Sequence, residues 1–303
     1  MEKLILVTVL VLFVQICFAQ KSIKNYTDPV AKELSIGTTY TFQPQSVHGN
    51  WKVIVRLPKG YENSTNKYPV VYVLHGDLYF NFAVSGLQRL VDFGEMPEAI
   101  IVGISNESNA YFAFGSDKAD QFLGFIENEV FPLVESKYRM HQDRSLLGWH
   151  YTAGFAFHAL INRPDLFKNY IPASPYLGGV DVNEIEFGSL ISKYDKDTSL
   201  GNSLSFGVMD NERTVKDAAL SLDSLLKLAE PKNLDWQFHR LTPDNDEGIE
   251  ISAYRLWISG LKTFYAGYKA DELVIRNLDE YKSKGGISFV KAHYEKRAES
   301  FGG

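Results

Sequence analysis

Cysteine is nearly absent: Cys17 is the only one in 303 residues. No disulfide can close within the chain, and a thiolate metal site or a cysteine nucleophile would rest on that one residue. An excess of basic charge is also missing. The formal net charge is -6, which argues against nucleic acid, whose recognition needs a concentrated basic face. Long apolar runs are scarce as well. The stretch Leu4–Val14 follows Lys3 and is shorter than the roughly 20 apolar residues a spanning helix needs. Cys17-Phe18-Ala19 sets small residues at the spacing of a signal-peptide cleavage site, so cleavage is expected after Ala19, with a secreted or periplasmic location. That cut would remove Cys17 and leave the mature chain to be held by its core alone. No internal repeat and no low-complexity tract occurs.

What is present is ordinary globular composition, 45% hydrophobic and 22% charged. The length suits one large α/β domain with a small appendage. Strand patterns fall at Thr39–Phe42, Trp51–Leu57, Pro69–Leu74, Ala99–Ile104, Ser145–Trp149, Tyr170–Ala173, Ser203–Met209 and Asp235–Leu241. Helical spacing marks Asp120–Tyr138, kinked at Pro132, then Ala153–Leu160, Val215–Ala229 and Ile251–Tyr265. Strands alternating with helices imply an α/β fold, with about eight strands in a mostly parallel sheet and helices on both faces. The expected division is a signal peptide at 1–19, an N-terminal segment at 20–38, the α/β domain at 39–267 and a helical tail at 268–303.

One stretch organises the rest. In Ser145–Leu160 an apolar run enters the tight turn Gly148-Trp149-His150-Tyr151-Thr152, and a small-residue helix leaves it. Strand, sharp turn and helix form the setting in which G-x-S-x-G presents a nucleophilic serine. Here His150 stands where the serine would, and no G-x-S-x-G occurs elsewhere.

The segments KYPVVYVLHGD (Lys67–Asp77), MPEAIIVGISN (Met96–Asn106), DQFLGFIENEVFPLVESKYR (Asp120–Arg139) and RPDLFKNYIPASPYL (Arg163–Leu177), with the elbow run, carry a resemblance. They resemble the putative esterase family of α/β-hydrolases, which includes esterase D and the siderophore esterases. The resemblance spans roughly Thr39 to Tyr265, and HYEKRAESFG (His293–Gly302) resembles the helical tail of exported bacterial members. It implies the α/β-hydrolase fold and a triad whose elbow reads G-H-S-x-G-G. Matched residue by residue, Gly148 keeps the first glycine, Trp149 replaces the histidine and His150 takes the nucleophile position. Thr152 and Ala153 replace the later glycines. The resemblance puts Glu247 where the base histidine belongs and the acid at Asp210, with Glu212 also fitting. It further implies an oxyanion hole from the N–H groups of Leu78 and Tyr151.

Hydrolysis by a triad needs a base that takes the serine proton, and losing serine or histidine costs nearly what losing the whole unit costs. The leading expectation is therefore a catalytically impaired member, a pseudoenzyme that binds a ligand or partner at the old cleft. Three readings of His150 stand: a packed imidazole, a nucleophile or base in an active carboxylic-ester hydrolase, and a divalent-metal ligand with Asp210 and Glu247. No resident cofactor or metal is expected under the first two. Trp149, Tyr151, Tyr79, Phe80 and Tyr176 are expected near the mouth, where aromatic residues suit carbohydrate or aryl-ester-like ligands or simply build core. His158 is expected packed or at the surface. His239, alternating in the last strand, could face the site or the core.

Overall fold

Each predicted strand forms, and the eight make one sheet: β1 (Thr38–Phe42), β2 (Trp51–Arg56), β3 (Tyr68–Leu74), β4 (Ile100–Ser105), β5 (Met140–Trp149), β6 (Asn169–Ala173), β7 (Asn202–Met209) and β8 (Leu234–Leu241). Their spatial order is β1-β2-β4-β3-β5-β6-β7-β8. β2 pairs antiparallel with β1 and β4, and every other pairing is parallel. β5 starts at Met140, ahead of the expected Ser145, because Met140 pairs with Tyr68 across a register shift. The computed structural model describes residues 31, 34–106, 109–178, 194, 200–244, 248–268 and 277–301, and from Ile36 onward they belong to one compact unit. The expected leader, with Cys17 and Ala19, lies outside the described residues, as do Glu247 and positions 269–276.

Helices lie on both faces. They are α1 (Gly76–Asp92), α2 (Asp117–Phe125), α3 (Phe131–Glu135), α4 (Tyr151–Asn162), α5 (Arg213–Ala229) and α6 (Ile251–Phe264), followed by α7 (Leu278–Ser283) and α8 (Ile287–Phe301) in the tail. The predicted helix through Pro132 is split. A π-helical turn, Ile126–Val130, separates α2 from α3, and Pro132 occupies the first turn of α3. Proline has no N–H to donate to the carbonyl four residues back, and the wider turn absorbs that missing bond. α1 has no counterpart in the sequence patterns. Its buried positions Phe80, Ala83, Leu87 and Leu90 keep helical spacing, but exposed Leu78 and Phe82 blur the stripe.

Side chains of β3 alternate between two cores, as a period of two dictates. Val70, Tyr72 and Leu74 face a core built with α2, α4 and α5, whereas Val71 and Val73 face one built with α1 and α6. The first core centres on Trp51, fully buried, stacked on Phe122 at 5.1 Å and packed on Phe125 at 4.7 Å. Phe80 belongs to the second core at 2% exposure and not to the cleft mouth, because α1 turns it under the sheet. His158 is buried as well, its Nε2 2.9 Å from Asp120 Oδ1, tying α4 to α2.

Trp51→Ala should lower unfolding free energy by about 3–5 kcal/mol, the cost of truncating a fully buried aromatic. Urea unfolding followed by far-UV circular dichroism checks this, and a loss below about 1 kcal/mol would contradict the central place of this ring.

Candidate functional site

The elbow is built by backbone crowding. A Cβ on Gly148 would sit 2.3 Å from Thr152 O, so only glycine fits where the strand turns into α4. His150 then takes φ 53 and ψ -112, a strained conformation for a residue with a side chain. Its N–H donates to Ala173 O at 3.1 Å, and its carbonyl accepts from the N–H groups of Ala153, Gly154 and Tyr176, each at 3.1 Å. Thr152 braces the turn with its hydroxyl. Oγ1 accepts from Trp149 N at 2.8 Å and donates to Trp149 O at 2.9 Å.

The His150 imidazole is half-buried among aromatic rings. It stacks on Tyr176 with centroids 5.1 Å apart and 9° between planes, meets Tyr151 edge-on at 4.7 Å and contacts Trp149 at 5.5 Å. Burial holds its pKa below the usual 6.5. No described residue hydrogen-bonds its ring nitrogens. Of the expected mouth residues, Trp149, Tyr151, Tyr79 and Tyr176 do gather: Tyr79 packs edge-on against Trp149 at 5.6 Å, and Tyr151 against Tyr176 at 4.7 Å.

The acid positions separate. Asp210 pairs with Arg240 Nε at 2.6 Å and Lys216 Nζ at 3.2 Å, and these cations hold its carboxyl below the ordinary range. Glu212, 6% exposed, is the buried carboxylate instead. Its Oε2 accepts from Ser174 Oγ at 2.6 Å and Met209 N at 2.7 Å, and its Oε1 lies 3.1 Å from Ser252 Oγ. Trp149 Nε1 donates to the same Ser252 Oγ at 3.0 Å. An indole and a serine of α6 thus connect the elbow to the acid. The turn Met209-Asp210-Asn211-Glu212 folds Glu212 back because its N–H bonds Met209 O at 3.0 Å. Sequence spacing did not separate the two acids, and nothing in the pattern marked Ser174 or Ser252.

The remaining candidates divide. Leu78 N–H donates to His75 O at 2.9 Å and Asp77 N–H to Ser105 Oγ at 2.6 Å, so the loop after β3 has its donors engaged. The N–H expected from Leu78 for an oxyanion hole is thus engaged within its own turn. Tyr151 N–H sits in the first turn of α4, where a helix leaves its N–H groups without intrahelical partners. His239 bonds Ser205 Oγ at 3.0 Å in the body of β7 and reaches no elbow residue. Among the described residues no group of three or more His, Cys, Asp or Glu side chains is placed to hold a metal ion. The Asp210 arm of the His150–Asp210–Glu247 metal reading is occupied by its two cations. No described helix is long and apolar enough to cross a membrane.

Ser252→Ala removes the acceptor of the Trp149 indole together with a neighbour of Glu212. It should cost about 1–3 kcal/mol, the range for leaving buried polar groups unsatisfied, and shift tryptophan emission to longer wavelength. An unchanged emission spectrum would contradict the link. Acidification supplies a second check. The imidazoles of His150, His158 and His239 are all held below 6.5 by burial. The unfolded chain therefore takes up protons first, and stability is lost as pH falls through the unfolded value towards the folded ones. The urea midpoint should drop between about pH 7.5 and pH 5.5, above the range where the lowered carboxylates titrate. His150→Gln should shallow that slope, whereas a flat midpoint would oppose it.

A family model described as Putative esterase matches residues 45–223. Among curated proteins, the ferri-bacillibactin esterase BesA of Bacillus subtilis is 26% identical over 138 residues, covering 36% of this chain and 47% of that protein. The siderophore triacetylfusarinine C esterase of Aspergillus fumigatus is 28% identical over 127 residues, covering 35% and 44%. The chain thus spans about half the length of the curated relatives it matches. Among solved structures, an IroE-like serine hydrolase from Shewanella oneidensis superposes with a TM-score of 0.70 at 22% identity, covering 88% of each chain. That likeness speaks for the fold alone. With the eight-stranded, mostly parallel sheet and the elbow between β5 and α4, the family match places this chain in the Putative esterase family of α/β-hydrolases.

Proposed function

We propose that this chain is a catalytically impaired member of its family that binds a small ligand at the crevice above the elbow. One observation carries the reading: the elbow apex bears the His150 ring, stacked on Tyr176, where the family presents a hydroxyl. The surroundings agree with it. The buried acid, Glu212, is engaged by Ser174, Met209 N and the Ser252–Trp149 pair, and no described histidine bonds it. A serine–histidine–acid relay has no continuous path among these groups. Ligands of α/β sheets bind outside the carboxyl ends of the strands, and Tyr79, Trp149, Tyr151 and Tyr176 gather there. An exported location, with cleavage after Ala19, belongs to the same reading and rests on the composition of residues 1–19.

A second reading is favoured by the backbone strain at His150. Strain kept at one residue points to use of that residue, and burial favours the neutral, nucleophilic form of the imidazole. Under it, His150 attacks activated acyl groups.

Turnover of 4-nitrophenyl acetate by the purified chain decides between them. The leading reading expects a rate more than about tenfold below that of a serine-bearing relative, unchanged in His150→Ala. A rate within tenfold would overturn it, and activity lost in His150→Ala would establish the second.

A further inference from the structure

The two edges of the sheet differ in how they are guarded. β8 closes one edge with Asp235 and Arg240 exposed on it, and charged side chains are a common guard against a further strand. β1, at the other edge, reads Thr-Thr-Tyr-Thr-Phe and carries neither charge nor proline. Threonine and aromatic residues are strand formers, and Thr38, Thr39 and Thr41 are exposed. An edge strand turns the N–H and carbonyl of every second residue outward. Among the described residues, β2 is the one strand that β1 pairs with.

A groove of about 510 Å³ opens against this edge, lined by Thr39, Tyr40, Thr41, Phe42, Glu129 and Leu133. Consecutive strand residues point to opposite faces of a sheet, so a hollow touching four of them in a row lies along the open edge of β1. Glu129 in the π-helical turn and Leu133 in α3 form the other wall. That wall is tied down: Glu129 Oε2 accepts from Gln45 N at 3.0 Å and Oε1 from Ser46 N at 2.8 Å. No described lysine, arginine or histidine pairs with Glu129, and it is the one charged residue of the lining. Lys137 is held over the Tyr40 ring at 5.2 Å.

The lining selects its occupant. A strand laid beside β1 gains main-chain hydrogen bonds and sends alternate side chains towards Leu133 and Glu129. The β1 of a second copy does not suit, because it brings no cation to Glu129. Its inward side chains are also committed to their own core, Tyr40 Oη 2.7 Å from Tyr138 Oη and Phe42 packed on Phe125 at 5.8 Å. A peptide whose apolar side chains flank a basic one supplies both kinds of contact.

We propose that the open edge of β1 takes an extended peptide segment of a partner protein, its apolar side chains beside Leu133 and a basic side chain against Glu129. β2, β4 and β3 separate this edge from β5 and the elbow, so the proposal stands apart from the reading of the cleft.

The test uses the full purified chain and a fluorescein-labelled peptide, Thr-Val-Thr-Lys-Thr-Leu-Thr, blocked at both ends, in which valine, lysine and leucine share one face. Anisotropy should show saturable binding with Kd of about 100 µM or tighter, and hydrogen exchange should slow across Thr38–Phe42. Replacing the lysine of the peptide by glutamate should weaken binding about threefold to fivefold, the yield of a partly exposed ion pair. Methylating every peptide nitrogen should cost at least about tenfold by removing the main-chain donors. Glu129→Gln should erase the preference for lysine over glutamate. Leu133→Lys, a half-buried position, should weaken the lysine peptide at least about fivefold by charge repulsion in the groove, with both variants keeping the far-UV circular dichroism of the parent. No saturable binding, equal affinity for the lysine and glutamate peptides, undiminished binding of the methylated peptide, or protection that spares Thr38–Phe42 overturns the proposal. Self-association on sedimentation with Thr38–Phe42 protected gives the edge to a second copy and overturns it as well.

Discussion

There is no room for a Cβ at Gly148. The carbonyl of Thr152 lies 2.3 Å from where one would stand, and this contact makes the chain leave β5 sharply and enter α4 within one residue. His150 is that residue, and its strained backbone follows from the crossing. Its carbonyl anchors the first turn of α4 and also Tyr176, which leads out of β6. Trp257 of α6 donates to Gly148 O at 3.0 Å, so the helix on the opposite face is pinned to the same turn. Strand, both helical layers and the β6 loop meet at one crowded backbone.

The side chains around the elbow are organised for cohesion. Thr152 makes two hydrogen bonds to Trp149, and Ala153 beside it is fully buried. The indole of Trp149 reaches Ser252, and Ser252 reaches Glu212. Ser174, itself at positive φ, completes the set by donating to Glu212. A buried carboxylate must be hydrogen-bonded to be tolerated. Glu212 is satisfied by two hydroxyls and a backbone N–H. The elbow and the buried carboxylate of Glu212 are therefore physically linked through Trp149 and Ser252.

Several local patterns misled or fell silent for identifiable reasons. Asp210 and Glu212 are equally plausible acids in one dimension. Asp210 is drawn to Arg240 on β8 and Lys216 on α5, contacts that sequence spacing does not contain. The sequence offers Leu78 as a donor, but its N–H closes the turn onto His75. α1 leaves no clean helical stripe in the sequence because Leu78 and Phe82 put large apolar groups on its open face, while Gly86 lets Tyr254 and Ile258 of α6 come within 2.9 Å of a would-be Cβ.

The amino-acid order alone determined the sheet and its class. Buried parallel strands require unbroken apolar runs, and period-two and period-3.6 patterns are local properties. It also determined that no serine stands at the elbow and that glycine must precede the turn. Tertiary structure decided the rest: which acid is buried, where the indole of Trp149 points, and which aromatic residues stay partly exposed around the elbow instead of fully buried. Tyr79 and Phe80 are neighbours in sequence, yet one is half-buried against Trp149 and the other lies beneath α1. Their fates divide because a helix points adjacent residues about 100° apart, and only the packing of α1 against the sheet chooses which of the two directions is inside.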